Sequence, residues 1–287
     1  MHVFECVPNV SNGRDPEILD ACARAIEDAG VRLAHRTCDA VHDRSVFTFF
    51  GTREPVLAAI VDLARVTTAH IDLRVRRGAH PRIGALDVVP IVPFGTATLD
   101  DARDLAHEVG RLLWETCVLP SVFYGAAAMR PERRLLADVR VGEFEALVAR
   151  GHRFGAPDIG GVAIHPSAGA VAIGAREPLV AFNVVLATGD LAIARAIARD
   201  LRERGGGLRT LRVIGIALDH DRVQVSCNIT EPGATPLDRV VGTIAACARA
   251  YGVAVEGSEL IGLVSRGALA EVVARNFGIE GLIATAQ

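Results

Sequence analysis

Apolar positions along this chain recur with two periods, and the two take turns. "HVFECVPNV" has the alternation of a half-buried strand. "DPEILDACARAIEDAG" then switches to helical spacing, with Ile18, Leu19, Cys22, Ile26 and Ala29 on one stripe. Asp15 stands as its N-cap, Pro16 at its first position and Gly30 at its close. "VRLAHRT" and "SVFTFFG" read as strands joined by the polar loop "CDAVHDR", and "EPVLAAIVDLARVTTAHI" as a helix. "ALDVVPIVPF" reads as a strand in which proline marks an edge or a bend. A helix over about 99–116 and a strand over about 118–124 extend this β-α-β-β-α-β order.

The C-terminal part repeats it. "PLVAFNVVLAT" is a strand, and "GDLAIARAIARDLRERGGG" is a helix ending in glycines. "LRTLRVIGIALD" and "DRVQVSCNIT" form a hairpin around His220. "TPLDRVVGTIAACARAYG" is a helix capped by Thr235 with Pro236 at its start. "VAVEGSELIGLV" is the last strand, with a short helix after it. The fold class is therefore α/β (α+β): two βαββαβ-like units, each with helices on one face of an antiparallel or mixed sheet. Residues 150–178, rich in Gly, Pro and small side chains, read as a linker that also lines a site. A cleft forms if the two sheets pair face to face.

Composition narrows the chemistry. Half of the 287 residues are hydrophobic, enough for a large core, and the net charge of -3 carries no bias toward nucleic acid or membrane surfaces. No apolar run reaches the roughly 20 residues of a bilayer span. The N-terminus has no signal-type pattern, which places the protein in the cytoplasm. Six cysteines occur without a CxxC pair, and nearly all of them read as small buried hydrophobes. All 31 basic residues are arginine, which excludes Schiff-base lysine chemistry and a GxxxxGK[ST] phosphate loop. Arginine also suits two-pronged recognition of carboxylates.

Three loops at strand ends of the first unit gather the polar residues: "PNVSNGRD", "CDAVHDR" and "RGAHPR". They carry Asn9, Ser11, Asp39, His42, Asp43, Arg44, His80 and Arg82. If the loops converge, they offer an acid/base histidine, carboxylates to orient it and arginines to hold anions. His80 precedes a proline, which restrains its backbone. The plainer reading of His80 is a loop imidazole bonded to a nearby carbonyl. His165 also precedes proline but lacks flanking arginines; His42 reads as exposed loop and Arg14 as a surface cation. No HxH or HExxH spacing supports a metal centre, and none is expected.

The chain resembles the formiminotransferase domain (glutamate formimidoyltransferase) over essentially its whole length. The resemblance is carried by "ECVPNVSNGRD", "DAVHDRSVFTFFG", "AHPRIGALDVVPIVP", "PDIGG", "HPSAGAVAIGAREPLVAFNVVL", "QVSCNI" with "TPL", and "EGSELIGLV". It implies an N-terminal subdomain over 1–177, a C-terminal one over 178–287, sheets facing a central folate cleft, helices on the outer faces, and a homodimer. No cyclodeaminase region follows in this sequence, which fits a stand-alone form. The implied reaction moves a formimidoyl group from N-formimidoyl-L-glutamate to N5 of tetrahydrofolate, the co-substrate. The family's catalytic histidine falls on His80, and on chemical grounds a carboxylate such as Asp39 would orient it and stabilise its protonated form. Arg44 and Arg82 would clamp substrate carboxylates, and Asn9, Asn183, Gln224 and Asn228 would hydrogen-bond the pterin. Asn12, Ala79 and Ala126 stand where the family's usual motifs carry glutamate. Two alternatives keep the fold: a divergent member with another one-carbon donor or acceptor, and a non-catalytic protein that binds folate or another metabolite.

Overall fold

The computed structural model describes residues 2–150, 156–161 and 163–263. The chain divides into two compact units, residues 1–176 and 177–287. In the first, β1 (Val3–Cys6), β2 (Asn9–Val10), α1 (Pro16–Asp28), β3 (Arg32–Asp39), β4 (Arg44–Gly51), α2 (Arg53–His70) and β5 (Leu86–Phe94) follow the expected order. β1 and β2 are one strand broken at Val7–Pro8; both pair antiparallel with β4 on one side and β5 on the other. β3 lies outside β4, so each sequential β-α-β pair is split by a third strand. Asp15 accepts the backbone N–H groups of Glu17 and Ile18 at the start of α1, as its position before Pro16 predicts.

β5 is not an edge. On its far side it pairs in parallel with β7 (Val171–Ala175), which in turn pairs with β6 (Ser121–Gly125) after α3 (Leu99–Cys117). Pro90 is tolerated in this interior strand because the neighbouring strand is broken there; it serves only as acceptor, for the Val7 N–H. β7 also corrects the reading of 150–178 as a linker, since this small-residue segment supplies a fully buried strand. Its Gly174 makes room for the Tyr124 ring, whose carbon atoms a Cβ there would meet at 2.3 Å.

Phe47, Phe49, Cys6, Leu86 and Ile173 face α1, α2 and α3 and form the main core. On the opposite face α4 (Leu136–Val139) and α5 (Glu143–Arg150) pack Val139 and Leu147 against Ile83, Val88, Val122 and Ala172. Those two helices were not foreseen, because each is too short to show a periodic stripe.

The second unit is β8 (Val180–Leu186), α6 (Leu191–Leu201), β9 (Leu211–Ala217), β10 (Val223–Ile229), α7 (Leu237–Ala250) and β11 (Val255–Ile261). Its sheet order, β11-β8-β10-β9, is antiparallel throughout and repeats the split arrangement of the first unit. Alternate residues of β8 and β10, Phe182 and Val184 with Val223, Val225 and Cys227, meet Ile197, Val240 and Ile244 from the helices. Thr235 does not cap α7: Pro236 is the N-cap, and the Thr235 hydroxyl donates to the Arg209 carbonyl at 2.6 Å. The expected short final helix lies outside the described residues. No helix among the described residues is long and apolar enough to cross a membrane.

Among the described residues, Phe182 is the largest side chain in the core of the second unit and is 1% exposed. Phe182→Ala is expected to destabilise that unit by about 3–5 kcal/mol. The check is a lower urea midpoint with unchanged slope, followed by a probe in residues 177–263.

Candidate active site

Glycines let the three loops of the first unit approach at backbone distance. A Cβ on Gly13 would lie 2.0 Å from the Asp39 carbonyl oxygen, and one on Gly78 would lie 2.1 Å from that of His42. The Asp43 carboxylate, 5% exposed, closes the junction. It accepts the Gly13 N–H at 2.9 Å and Arg76 Nη1 at 3.2 Å, with Arg14 Nη1 at 3.7 Å. Arg14 also donates to the Ala40 carbonyl at 2.7 Å, so it ties loops together rather than standing as a simple surface cation. Ala79 N–H donates to the Val41 carbonyl at 3.2 Å, fixing the backbone one residue before His80.

The His80 ring is half-buried and sits against His42, with centroids 6.1 Å apart and planes at 62°. His80 Nδ1 lies 2.8 Å from the Pro81 carbonyl oxygen, which can only accept. The neutral ring therefore carries its proton on Nδ1 and leaves the Nε2 lone pair free. Burial pushes the His80 pKa well below its ordinary value, and the Arg44 and Arg140 guanidiniums push it further in the same direction. The ring is thus neutral near pH 7.

Asp39 does not orient His80. Its Oδ2 lies 2.7 Å from His42 Nδ1, and its Oδ1 accepts the backbone N–H groups of Val41 and His42. The tight turn after β3 imposes this choice: His42 is three positions on from Asp39, and the turn folds one onto the other. Burial would raise the Asp39 pKa, but the His42 hydrogen bond brings it below the usual carboxylate value. His42, expected in an exposed loop, is buried.

The carboxylate near His80 is Asp87, fully buried. It is the extra residue of a bulge: Val10 pairs with Leu86 and Asn9 with Val88, leaving Asp87 between them. Its Oδ1 accepts the N–H groups of Ile83 at 2.7 Å and Gly84 at 3.2 Å. Its Oδ2 receives Arg44 Nη1 at 2.9 Å and Arg140 Nη2 at 2.5 Å. Burial alone would raise its pKa, but Arg140 and Arg44 hold it far below the ordinary range. Arg44 itself is drawn down to about 10, by burial first and then by Arg140, and remains charged at neutral pH. Arg44 Nε donates to Asn9 Oδ1 at 2.9 Å, which joins Asn9 to the same cluster.

Other expected site residues lie apart. Arg82 is buried and uses its guanidinium on Glu145, at 2.9 and 3.2 Å, and on the carbonyls of Leu73 and Arg76. Those bonds fold the 73–82 segment against α5. His165 Nδ1 accepts the Ala168 N–H at 3.0 Å, a turn-closing role, and burial lowers its pKa. In the second unit, Asn183 on β8 pairs across from Ser226, flanked on β10 by Gln224 and Asn228, all on the sheet face turned away from α6 and α7. Asn183 and Gln224 are buried and Asn228 is exposed.

Of the residues at the glutamate-substituted positions, Asn12 is buried. Its Oδ1 accepts the N–H groups of Arg14 and Asp15 and Arg76 Nη1. Ala79 and Ala126 are exposed. Among the described residues, no group of three His, Cys, Asp or Glu side chains is arranged to hold a metal ion.

Gly78→Ala is expected to force the His42 carbonyl away and break the Ala79–Val41 hydrogen bond. Faster amide hydrogen exchange at Ala79, with exchange in β8–β11 unchanged, is the signature. Unaltered protection at Ala79 would show that the loops do not depend on this contact.

Comparison with known proteins matches this architecture to a family. Residues 3–176 match the formiminotransferase domain, N-terminal subdomain, and residues 181–280 match the formiminotransferase domain. The chain is 39% identical over 281 residues to the glutamate formimidoyltransferase of Streptococcus pyogenes serotype M1, covering 97% of this chain and 94% of that one. It is 34% identical over 289 residues to the glutamate formimidoyltransferase of Thermoplasma acidophilum, covering 98% and 94%. It is also 37% identical over 277 residues to the formimidoyltransferase-cyclodeaminase of Gallus gallus, where the match spans 93% of this chain and 51% of the relative. This chain belongs to the formiminotransferase family and is a formimidoyltransferase.

Proposed function

We propose that the protein transfers the formimidoyl group of N-formimidoyl-L-glutamate to N5 of tetrahydrofolate, with His80 as the acid/base. The observation that carries this reading is the Nδ1–Pro81 hydrogen bond, because it leaves Nε2 as a free base in a ring that burial and two arginines keep neutral. N5 attacks the amidine carbon and forms the new C–N bond, and Nε2 takes the N5 proton. The resulting imidazolium then returns that proton to the glutamate nitrogen as its bond to the same carbon breaks. The products are 5-formimidoyltetrahydrofolate and L-glutamate.

Both substrates carry carboxylates, and the charge beside His80 suits them. Asp87 neutralises one guanidinium where two are present, so Arg44 and Arg140 leave net positive charge at the site. In this reading Asp39 acts through His42, and Arg82 acts through the fold of its loop. Because alanine stands at position 79, beside His80, where the family motif carries glutamate, a second assay arm uses a formyl donor. A homodimer working in the cytoplasm completes the proposal, and light scattering on the purified protein tests the oligomer.

His80→Ala is expected to lower the rate of 5-formimidoyltetrahydrofolate formation by about 10²–10⁴-fold. In the wild type, the neutral imidazole is the active form and its pKa is depressed. Activity should therefore persist as pH falls through 6.5, the ordinary histidine value, and be lost only at pH well below it. A His80→Ala enzyme at full rate sinks the assignment of the base. Tight folate binding without turnover of either donor sinks the substrate pair.

A further inference from the structure

We propose that Asp87 is the positioning residue of this site, holding the His80 loop and the Arg44–Arg140 pair in one fixed arrangement through a single buried carboxylate. The inference rests on His80 as the acid/base and names the group through which the fold controls it.

The geometry is specific. Oδ1 binds the two backbone N–H groups, Ile83 and Gly84, that follow the His80-Pro81-Arg82 stretch. Oδ2 joins guanidiniums from two separate elements, Arg44 at the start of β4 and Arg140 at the end of α4. The carboxylate is 0% exposed and the residue is the extra member of a bulge. A regular strand would give that residue a cross-strand partner and remove its freedom to face both loop and arginines.

The charged and titratable groups around His80 come from each neighbouring element: Arg44 from β4, Arg140 from α4, Asp87 from β5 and His42 from the turn after β3. The two arginines oppose a proton on the ring and Asp87 favours one. Asp87 thus sets both where the imidazole stands and how much of the arginines' charge it experiences.

Asp87→Asn preserves shape but removes the charge, and it puts an NH2 group in place of one accepting oxygen, so that donor faces donor. The expected result is a fall in kcat of about 100-fold, the cost of a small misplacement of reacting groups, with less change in KM. Removal of one arginine by Arg140→Met should have the opposite electrostatic effect. Histidine side-chain NMR on the full chain, with the His80 signal assigned by its loss in His80→Ala, reads both. The His80 titration midpoint should move down in Asp87→Asn and up in Arg140→Met. A purely structural role would lower activity in both variants without opposite shifts. Midpoints that stay still, or move in the same direction, overturn the proposal. If Asp87→Asn does not fold, Arg140→Met still decides: no upward shift in it refutes the arrangement. Because the NMR midpoint does not depend on turnover, an active His80→Ala enzyme would remove the catalytic reading and leave this measurement standing.

Discussion

One buried carboxylate organises the first unit's chemistry. Asp87 gathers two arginines and two backbone amides in a place where water does not reach it. A lone carboxylate could not remain ionised there, and two arginines without it would repel each other. The three groups are stable only together. The charge left over is positive, and it adds to burial, the larger cause, in keeping the nearby imidazole neutral. The site is consequently a base flanked by anion-attracting groups, a combination that neither the histidine nor the arginines would produce alone.

The same economy runs through the surrounding loops. The chain has no lysine, and in the first unit several arginines are built into the structure rather than offered to solvent. Arg76 joins Asp43 to Asn12, and Arg82 joins Glu145 to two carbonyls. The planar fork of the guanidinium reaches several acceptors at once, which a lysine ammonium does with less fixed geometry. Gly13 and Gly78 then allow the backbones so linked to touch. The loop cluster is rigid because charged bonds and backbone contacts close it from different sides.

The second unit shows the same split β-α-β pairing with a simpler content. Its sheet divides cleanly into an apolar face under α6 and α7 and a face carrying Asn183, Gln224, Ser226 and Asn228. No obvious sequence identity links the two units, yet their strand order repeats. The first unit departs by adding β6 and β7 beyond β5, and it is on this enlarged sheet that α4 delivers Arg140.

The sequence by itself determined the order of the main strands and helices, because hydrophobic period and caps such as Asp15 are local signals. It also singled out His80 and the three loops, through their polar residues and through motifs that continue along the whole chain. Tertiary structure decided the rest. Whether Asp39 meets His80 or His42 depends on a turn, and β7 looked like linker because its small side chains carry no strong period. Asp87 was hidden in an apolar strand, where only a carboxylate interrupting the run, between Leu86 and Val88, hinted at it. Its partner Arg140 is 53 residues away in a helix too short to read. A buried charge network is made by side chains distant in sequence, so its members acquire meaning only when the fold brings them within hydrogen-bonding distance.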